Sequence, residues 1–489
     1  MQSVKLVVGN IYTTAEVPDT SAESIIQTVT TYVVESYVVR KWTGSRAPEK
    51  VQKRFRFGTG TLFPTGHLWR VKRILENSGY TVGVVDERTE PSRSVEYKMP
   101  KHSLRPYQQR TVDVYAEAGR GTIEIPTGGG KTLIASHLIY DIGVKTLYIV
   151  PNRLLLNQVH QDLSKYFGKR MVGRVGEGVF EPRAVTVATA QTLHVRKESP
   201  DVQALINSSE LLIIDECHVI GAASGRGRQA NIWYEVARAC PAYYRFGMSA
   251  TPGSATEMRG GLLRGMTGGV LVRVSASDLI DEGFLAQPEV LMYHSDCRAL
   301  FPPRFDFRNW REVNRRCILE NTARNTHIAE IAAAFARGGK SVLITVGQIE
   351  KHGQPLYEML PPSITSFVTG GTHRAERKAA IDRFKSKATP ILIGTIFKMG
   401  FNVPSMDVLI LADAGRKEES VAQRVGRVLR FFKGKRAVVV DFLDDDNSVA
   451  LKHSLYRLKY YLSERSFIVD PIGFKIEEVK ARRPDVFQT

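Results

Sequence analysis

Between residues 120 and 250 the chain passes five times through a short apolar run that stops on polar groups. Thr122-Ile123-Glu124-Ile125 stops on Pro126-Thr127-Gly128, and Lys145-Thr146-Leu147-Tyr148-Ile149-Val150 on Pro151-Asn152. Val185-Thr186-Val187-Ala188-Thr189 runs into Ala190-Gln191, Leu211-Leu212-Ile213-Ile214 into Asp215-Glu216, and Arg245-Phe246-Gly247-Met248 into Ser249-Ala250-Thr251. Runs of this length without polar alternation predict strands buried on both faces. Stretches with helical spacing lie between them: residues 133–139, then Leu155, Val159, Leu163, Tyr166 and Phe167. Strand–helix alternation predicts a parallel sheet covered by helices, with chemistry on loops at the strand C-terminal ends. From about residue 290 a second set follows, at 341–346, 365–369, 390–394, 408–411 and 438–440.

The ends of the chain read differently. Residues 4–8, 28–34 and 54–57 suit strands. Leu68, Val71, Ile74 and Leu75 form one helical face, Gly79 ends that helix, and residues 80–85 resume a strand. Glu90-Pro91-Ser92-Arg93-Ser94 reads as a linker. Past residue 450, Leu451, Leu455, Leu458 and Leu462 share a helical face predicted to pack on the second sheet domain, and the charged residues 477–489 are expected to be mobile. The predicted fold is α/β: a small α+β accessory domain at 1–95, parallel-sheet domains at 96–288 and 289–450, and a C-terminal helix and tail at 451–489. A length of 489 residues fits about three domains.

Charge narrows the partners. With 68 Lys and Arg against 50 Asp and Glu the chain carries +18, which favours a polyanion, nucleic acid first and anionic membrane second. Arg40, Lys41, Arg46, Lys50, Lys53, Arg54 and Arg56 hold only Glu49 among them, with Trp42, Phe55 and Phe57 interleaved. This run reads as DNA contact for the charges and as buried packing for the aromatics. Cys217, Cys240, Cys297 and Cys317 form no C-x-x-C pair, and no histidine cluster has metal-ligand spacing. Reduced thiols, no structural zinc and a cytoplasmic setting are expected. No apolar run reaches membrane-spanning length, and the first five residues lack a secretory layout, so no membrane partner is expected.

The organising stretch is Ile125-Pro126-Thr127-Gly128-Gly129-Gly130-Lys131-Thr132. A glycine-rich turn between strand and helix turns backbone N–H groups inward to cradle phosphates; Lys131 reaches the outer phosphates and the Thr132 hydroxyl holds magnesium. The full pattern has glycine where Ile125 stands. Asp215 and Glu216 end a buried strand, where carboxylates are costly without a cation or hydrogen bonds. Magnesium on nucleotide phosphates is the natural partner, with Asp215 on the metal's water shell and Glu216 polarising the attacking water. Gln108 has an amide that can pair with an adenine edge, although alone it reads as a helix-surface glutamine. The second half has no Gly-Lys-Thr. It offers Gln423, Arg427 and Arg430 on one helical face, where paired guanidiniums can stabilise charge on a transferring phosphoryl group. Each motif alone has a plain alternative: a turn that binds nothing, exposed acids at a strand end, a basic surface helix.

Together and in this order, across residues 100–450, these motifs resemble the superfamily 2 helicases of the DECH type, near the UvsW-like phage helicases and the XPB-like DNA helicases. The resemblance implies two tandem RecA-like motor domains, with ATP and Mg2+ as cofactors. It implies an ATP contact by Arg105, adenine reading by Gln108, a phosphate cradle from Thr127, Gly128, Gly129, Gly130 and Lys131, and magnesium held by Thr132 and Asp215. Glu216 is then the base, Ser249-Ala250-Thr251 the coupling motif, and Gln423, Arg427 and Arg430 the final motif with its arginine fingers. Pro151, Asn152, Arg153, Thr189, Gln191 and Thr395 grip one strand's backbone, and backbone contacts suit a motor that ignores sequence. Gly400-Phe401-Asn402-Val403-Pro404 carries asparagine where the family often has aspartate. The implied function is a monomeric ATP-dependent DNA helicase or translocase on branched or forked DNA with a single-stranded track, serving replication, recombination or repair. The alternatives are an RNA helicase and a double-strand translocase that does not separate strands; intact ATP motifs weigh against a non-enzymatic DNA-binding protein.

Overall fold

The computed structural model describes residues 2–38, 49–56, 58–221, 229–252, 258–295, 309–395, 406–415, 418–430, 437–445 and 447–487. The chain forms two compact units: residues 1–125 with 130–273, and residues 274–489 with 126–129.

The first unit begins with a four-stranded sheet of β1 (Ser3–Val8), β2 (Tyr12–Glu16), β5 (Leu62–Pro64) and β6 (Thr81–Asp86), in the order β5-β2-β1-β6. Strands β3 (Thr31–Val38) and β4 (Glu49–Arg56) pair separately as an antiparallel ribbon. Helix Thr20–Val29 takes in Thr28 and Val29, which the β-branched run had placed in a strand. The reason is local: Asp19 caps the helix by accepting from Ala22 N, and Ala22, Ile26 and Val29 then fall on one buried face. The basic stretch is only partly described. Arg40, Lys41, Trp42, Arg46 and Phe57 lie outside the described residues, while Lys50, Lys53, Arg54, Phe55 and Arg56 lie on β4.

The large sheet of this unit joins β7 (Arg120–Glu124), β8 (Thr146–Val150), β9 (Val172–Gly176), β10 (Val179–Glu181), β11 (Val185–Thr189), β12 (Leu211–Asp215), β13 (Tyr244–Ser249) and β14 (Val270–Arg273). Their order is β10-β9-β11-β8-β12-β13-β7-β14, parallel except for the β9–β10 pair. Every residue of β8, β11, β12 and β13 is buried, as the unbroken apolar runs require. The presumed linker at 90–94 is fixed. Ser94 N and Val95 N donate to Gly143 O at 2.9 Å each, Arg93 Nη2 donates to Tyr140 O at 3.1 Å, and the Tyr244 hydroxyl donates to Glu90.

The second unit holds a seven-stranded, all-parallel sheet of β15 (Pro288–Ser295), β16 (Val342–Thr345), β17 (Thr365–Val368), β18 (Ile391–Gly394), β19 (Val408–Leu411), β20 (Ala437–Asp444) and β21 (Ile468–Ile472). Their order is β17-β18-β16-β19-β20-β15-β21. Residues past 450 therefore belong to this sheet through β21. Charge alone had marked 477–489 as mobile, but helices Ile476–Arg482 and Pro484–Phe487 bury Val479 and Val486 against Leu451, Leu455 and Leu458. Leu462 departs from the predicted face and is exposed, because helix Ser448–Ser463 is there within two residues of its end. Among the described residues no helix is long and apolar enough to cross a membrane. Cys217, Cys240 and Cys317 are free and buried.

Candidate functional site

Parallel alignment brings the loops after β7, β12 and β13 to adjacent strand ends, since β13 lies between the other two. Ile125 N donates to Ser249 O at 3.0 Å, extending the β7–β13 ladder to the mouth of the phosphate loop. Ile125 is fully buried, which explains an apolar residue where the usual pattern has glycine. Gly128 and Gly130 have φ of 92° and 84°, a left-handed backbone that favours glycine. Gly130 then opens helix Lys131–Ile142, whose first N–H groups and dipole suit an anion.

Gly130 is also required sterically. A Cβ there would stand 2.3 Å from Gln108 Nε2. Gln108 is 3% exposed, not the surface glutamine that its helix position alone indicated. Its Oε1 accepts from Arg105 N at 3.0 Å and its Nε2 donates to the Tyr107 hydroxyl at 3.2 Å. Arg105 is the N-cap of helix Pro106–Ala118, so the residues read as ATP contacts form the start of one helix set against the phosphate loop.

Lys131 Nζ lies 3.0 Å from Glu216 Oε1. Burial works against the lysine's charge, yet Glu216 and Asp215 outweigh it and raise its pKa. Asp215 ends β12 almost fully buried; burial first, then the neighbouring Glu216, pushes its carboxyl up, against the pull of Lys131. Glu216 has φ of 50°, unusual for a non-glycine residue, and its N–H donates to Asp215 Oδ1 at 2.9 Å. Two carboxylates against one ammonium leave a negative excess that suits a divalent cation, with the Asp215 oxygens and the Thr132 hydroxyl as hard donors. Among the described residues no group of three or more His, Cys, Asp or Glu side chains could form a cage of protein ligands, so such an ion would take its remaining oxygens from nucleotide and water.

A polar path leaves this pair. His218 Nδ1 is 3.4 Å from Glu216 Oε2 and 2.9 Å from Ser249 Oγ, and Thr251 N donates to that same Oγ at 3.1 Å. Ser249 is fully buried at the end of β13. His218 was missed in the sequence; its place three residues after Asp215, at the end of a buried strand, was the available signal. Tyr148, buried on β8, was missed as well. Its hydroxyl pKa is pushed up by burial and then by Asp215.

Residues read as strand contacts collect at the neighbouring ends of β8 and β11, where Val150 pairs with Thr189. Asn152 caps helix Arg153–Phe167 by accepting from Leu155 N at 3.0 Å. Thr189 caps helix Ala190–Val195, its hydroxyl 2.8 Å from that of Thr192. Pro151 is half-buried, while Arg153 and Gln191 are exposed beside the caps.

In the second unit, Thr395 follows β18, half-buried, and 400–404 lies outside the described residues. Gln423 and Arg427 share a face of helix Glu418–Val428. Arg430 does not share it. The helix stops at Val428, Ala286 N donates to Leu429 O at 2.7 Å, and Arg430 pairs in extended form with Leu285. Burial lowers the pKa of Arg430.

Residues 101–254 match the family described as the res subunit of type III restriction enzymes, and residues 325–432 match the helicase conserved C-terminal domain. The Rad25 protein of Halobacterium salinarum is 28% identical over 367 residues, 74% of this chain and 57% of the relative, so the chain spans little more than half that relative's length. The ATP-dependent DNA helicase uvsW of Enterobacteria phage T4 is 23% identical over 448 residues, 83% of this chain and 86% of the relative. The solved structure of the ATP-dependent type ISP restriction-modification enzyme LlaBIII bound to DNA has the same fold. It matches with a TM-score of 0.55 at 16% identity, over 86% of this chain and 35% of that one.

Proposed function

We propose that this chain, which belongs to superfamily 2 of the helicases, is an ATP-driven DNA helicase or translocase that remodels branched DNA such as forks and recombination junctions. Support comes above all from the polar path that runs from Lys131 through Glu216 and His218 to Ser249 and Thr251. It ties the groups suited to phosphate and water to a second strand end, the connection a motor needs between hydrolysis and movement. ATP is the substrate. Gly128, Gly129, Gly130 and Lys131 hold its phosphates, Gln108 and Arg105 its base end, and Thr132 with Asp215 the accompanying magnesium. Glu216 takes the proton of the attacking water, and Arg427 and Arg430 are assigned the charge that develops on the γ-phosphoryl group. Thr189, Gln191 and residues 151–153, with Thr395, grip the phosphodiester backbone of one strand. The protein works in the cytoplasm as a monomer.

The branched substrate is carried over from the family resemblance read in the motifs, the phage T4 relative is named an ATP-dependent DNA helicase, and the net charge of +18 fits a DNA track. The match to the restriction-enzyme family favours a second reading, translocation along a duplex without strand separation. ATP hydrolysis and strand release on a forked DNA, with Lys131→Ala alongside, test both. The proposal expects DNA-stimulated hydrolysis and fork opening in wild type and neither in Lys131→Ala. Retained stimulated hydrolysis in the variant rejects the site; hydrolysis without strand release, but with displacement of a bound third strand, selects the duplex translocase. Stronger stimulation by RNA than by DNA redirects the substrate.

A further inference from the structure

We infer that three buried arginines of the second unit, Arg324, Arg424 and Arg457, are positioning residues that clamp the turn at 412–415 and thereby set the helix carrying Gln423 and Arg427. This rests on the function proposed above. The turn leaves β19 and leads toward helix Glu418–Val428. It is strained at Ala414, with φ of 48°, and Gly415 follows at φ of 115°, a backbone that favours glycine. Strain of this kind persists only when surroundings over-determine it.

The surroundings do so residue by residue. Arg324, from helix Thr322–Arg337, donates through Nη1 to Ala412 O at 2.7 Å and through Nε to Asp444 Oδ1 at 2.9 Å. Arg424 pairs with Asp413, whose Oδ1 also accepts from Thr345 Oγ1 at 3.0 Å. Arg457, from helix Ser448–Ser463, donates through Nη1 to Gly415 O and through Nη2 to Phe442 O, each at 2.8 Å. Its Nε bonds Asp441 Oδ2 at 2.8 Å, an oxygen that also accepts from the Tyr461 hydroxyl at 2.6 Å. Three guanidiniums thus stand with three carboxylates, Asp413, Asp441 and Asp444. Side chains of Arg324, Arg457, Asp441 and Asp444 are no more than 2% exposed.

A charge-balanced network of six buried ions is a costly way to stabilise a fold, since apolar replacements often do as well. It is a good way to fix one geometry, because each guanidinium fork admits few arrangements. Here each fork holds a different residue of a four-residue turn, and Arg424 is itself on the helix that the turn introduces, immediately after Gln423. The clamp therefore fixes where that helix begins and which way its Gln423–Arg427 face points.

Two substitutions test the geometry while keeping the network charged. An added Cβ at Gly415 meets no atom within 4 Å, so Gly415→Ala strains the backbone without crowding anything. Arg457→Lys keeps the charge beside Asp441, but one compact ammonium cannot span the separate acceptors that Nε, Nη1 and Nη2 reach. In each, DNA-stimulated kcat for ATP should fall roughly tenfold to a hundredfold, the scale of a misplacement of about 1 Å. The affinity for a fluorescent ATP analogue should stay within about twofold, because Lys131, Thr132 and Gln108 are in the first unit. Amide exchange in helix Glu418–Val428 should accelerate. Ala414→Gly, which relieves the strain, should leave kcat near wild type while the clamp stays intact. Normal kcat and unchanged exchange in Gly415→Ala overturn the inference, as does loss of nucleotide affinity in proportion to kcat. A wild type without DNA-stimulated hydrolysis rejects the proposed function instead, and the exchange measurement still decides the clamp.

Discussion

Gly130→Ala tests how tightly the phosphate loop is built. The new Cβ would lie 2.3 Å from Gln108 Nε2, so one of the two must retreat by about 1 Å to reach ordinary contact distance. Gln108 is held by Arg105 N and the Tyr107 hydroxyl, and withdrawing it weakens those bonds, at about 1 kcal/mol each. The φ of 84° adds about 1–2 kcal/mol once a side chain is present. Together the loss is about 2–4 kcal/mol, or roughly 5–10 °C in the melting of a unit this size. Thermal unfolding of the full chain without nucleotide isolates this effect from any loss of phosphate binding. The decisive comparison is the double variant. With Gln108→Ala the obstruction is gone, and Gly130→Ala should cost only the backbone share, leaving a coupling of about 1–2 kcal/mol. Equal costs of Gly130→Ala with and without Gln108 would refute the contact; a melting change under about 1 °C would refute the strain as well.

Other consequences are equally specific. His67 is fully buried, and burial first, then the charges of Arg264 and Arg70, pushes its pKa down to about 3. The unfolded chain therefore takes up the proton first as pH falls. Stability from this group is complete above pH 6.5 and shrinks toward pH 3, by about 2 kcal/mol at pH 5; melting curves at pH 7 and 5 should show that slope, and His67→Gln should flatten it. His218→Ala removes the bridge between Glu216 and Ser249, so ATP turnover should stay within a few-fold of wild type while base pairs opened per ATP fall; equal losses in both rates would refute a coupling role. Arg245 is buried on β13 and donates to Met266 O, Cys240 O and Ala237 O at 2.7, 2.6 and 2.5 Å. Arg245→Met should cost about 3 kcal/mol or more, since three carbonyl oxygens lose their donor, and a melting shift under 2 °C would contradict that.

How much of this was legible follows from where each signal resides. The sheets were readable because strands buried on both faces are apolar along most of their length, as β12 is from Leu211 to Ile214, and such runs survive without any knowledge of partners. The candidate site was readable because its side chains sit where those runs stop. Gln108 was misjudged for the opposite reason: it is buried with its amide against Gly130, a contact that helix spacing cannot reveal. The same holds for Arg324 and Asp444, a buried pair 120 residues apart that no local spacing links. At the C-terminus charge misled, because Val479 and Val486 are too few to form a pattern yet suffice to dock two short helices. Arg430 shows the limit of spacing rules: three-and-four intervals describe a helix only as far as the helix goes.

The accessory sheet raises a mechanical question that the glycines of the first unit answer. A Cβ at Gly66 would meet Arg264 O at 1.7 Å, and one at Gly261 would meet the Tyr32 ring at 2.2 Å. Arg120, at the start of β7, donates to Asn10 O at 2.7 Å. Gly66 thus lies against backbone and Gly261 against an aromatic ring with no room for a methyl group, and packed contacts of this density shift together or not at all. Between the small sheet and the large one, Arg93, Ser94 and Val95 are pinned to Tyr140 and Gly143. Strand β3 is rooted at Tyr32, and β4 pairs with it along eight residues, so the basic positions on β4 share that root. Strand β4 is therefore rooted in the same compact unit that holds Lys131 and Glu216. The accessory sheet is part of the first compact unit, and a variant that lengthens residues 90–94 with glycines would have to break it away from Gly143 before it could behave as a tethered module.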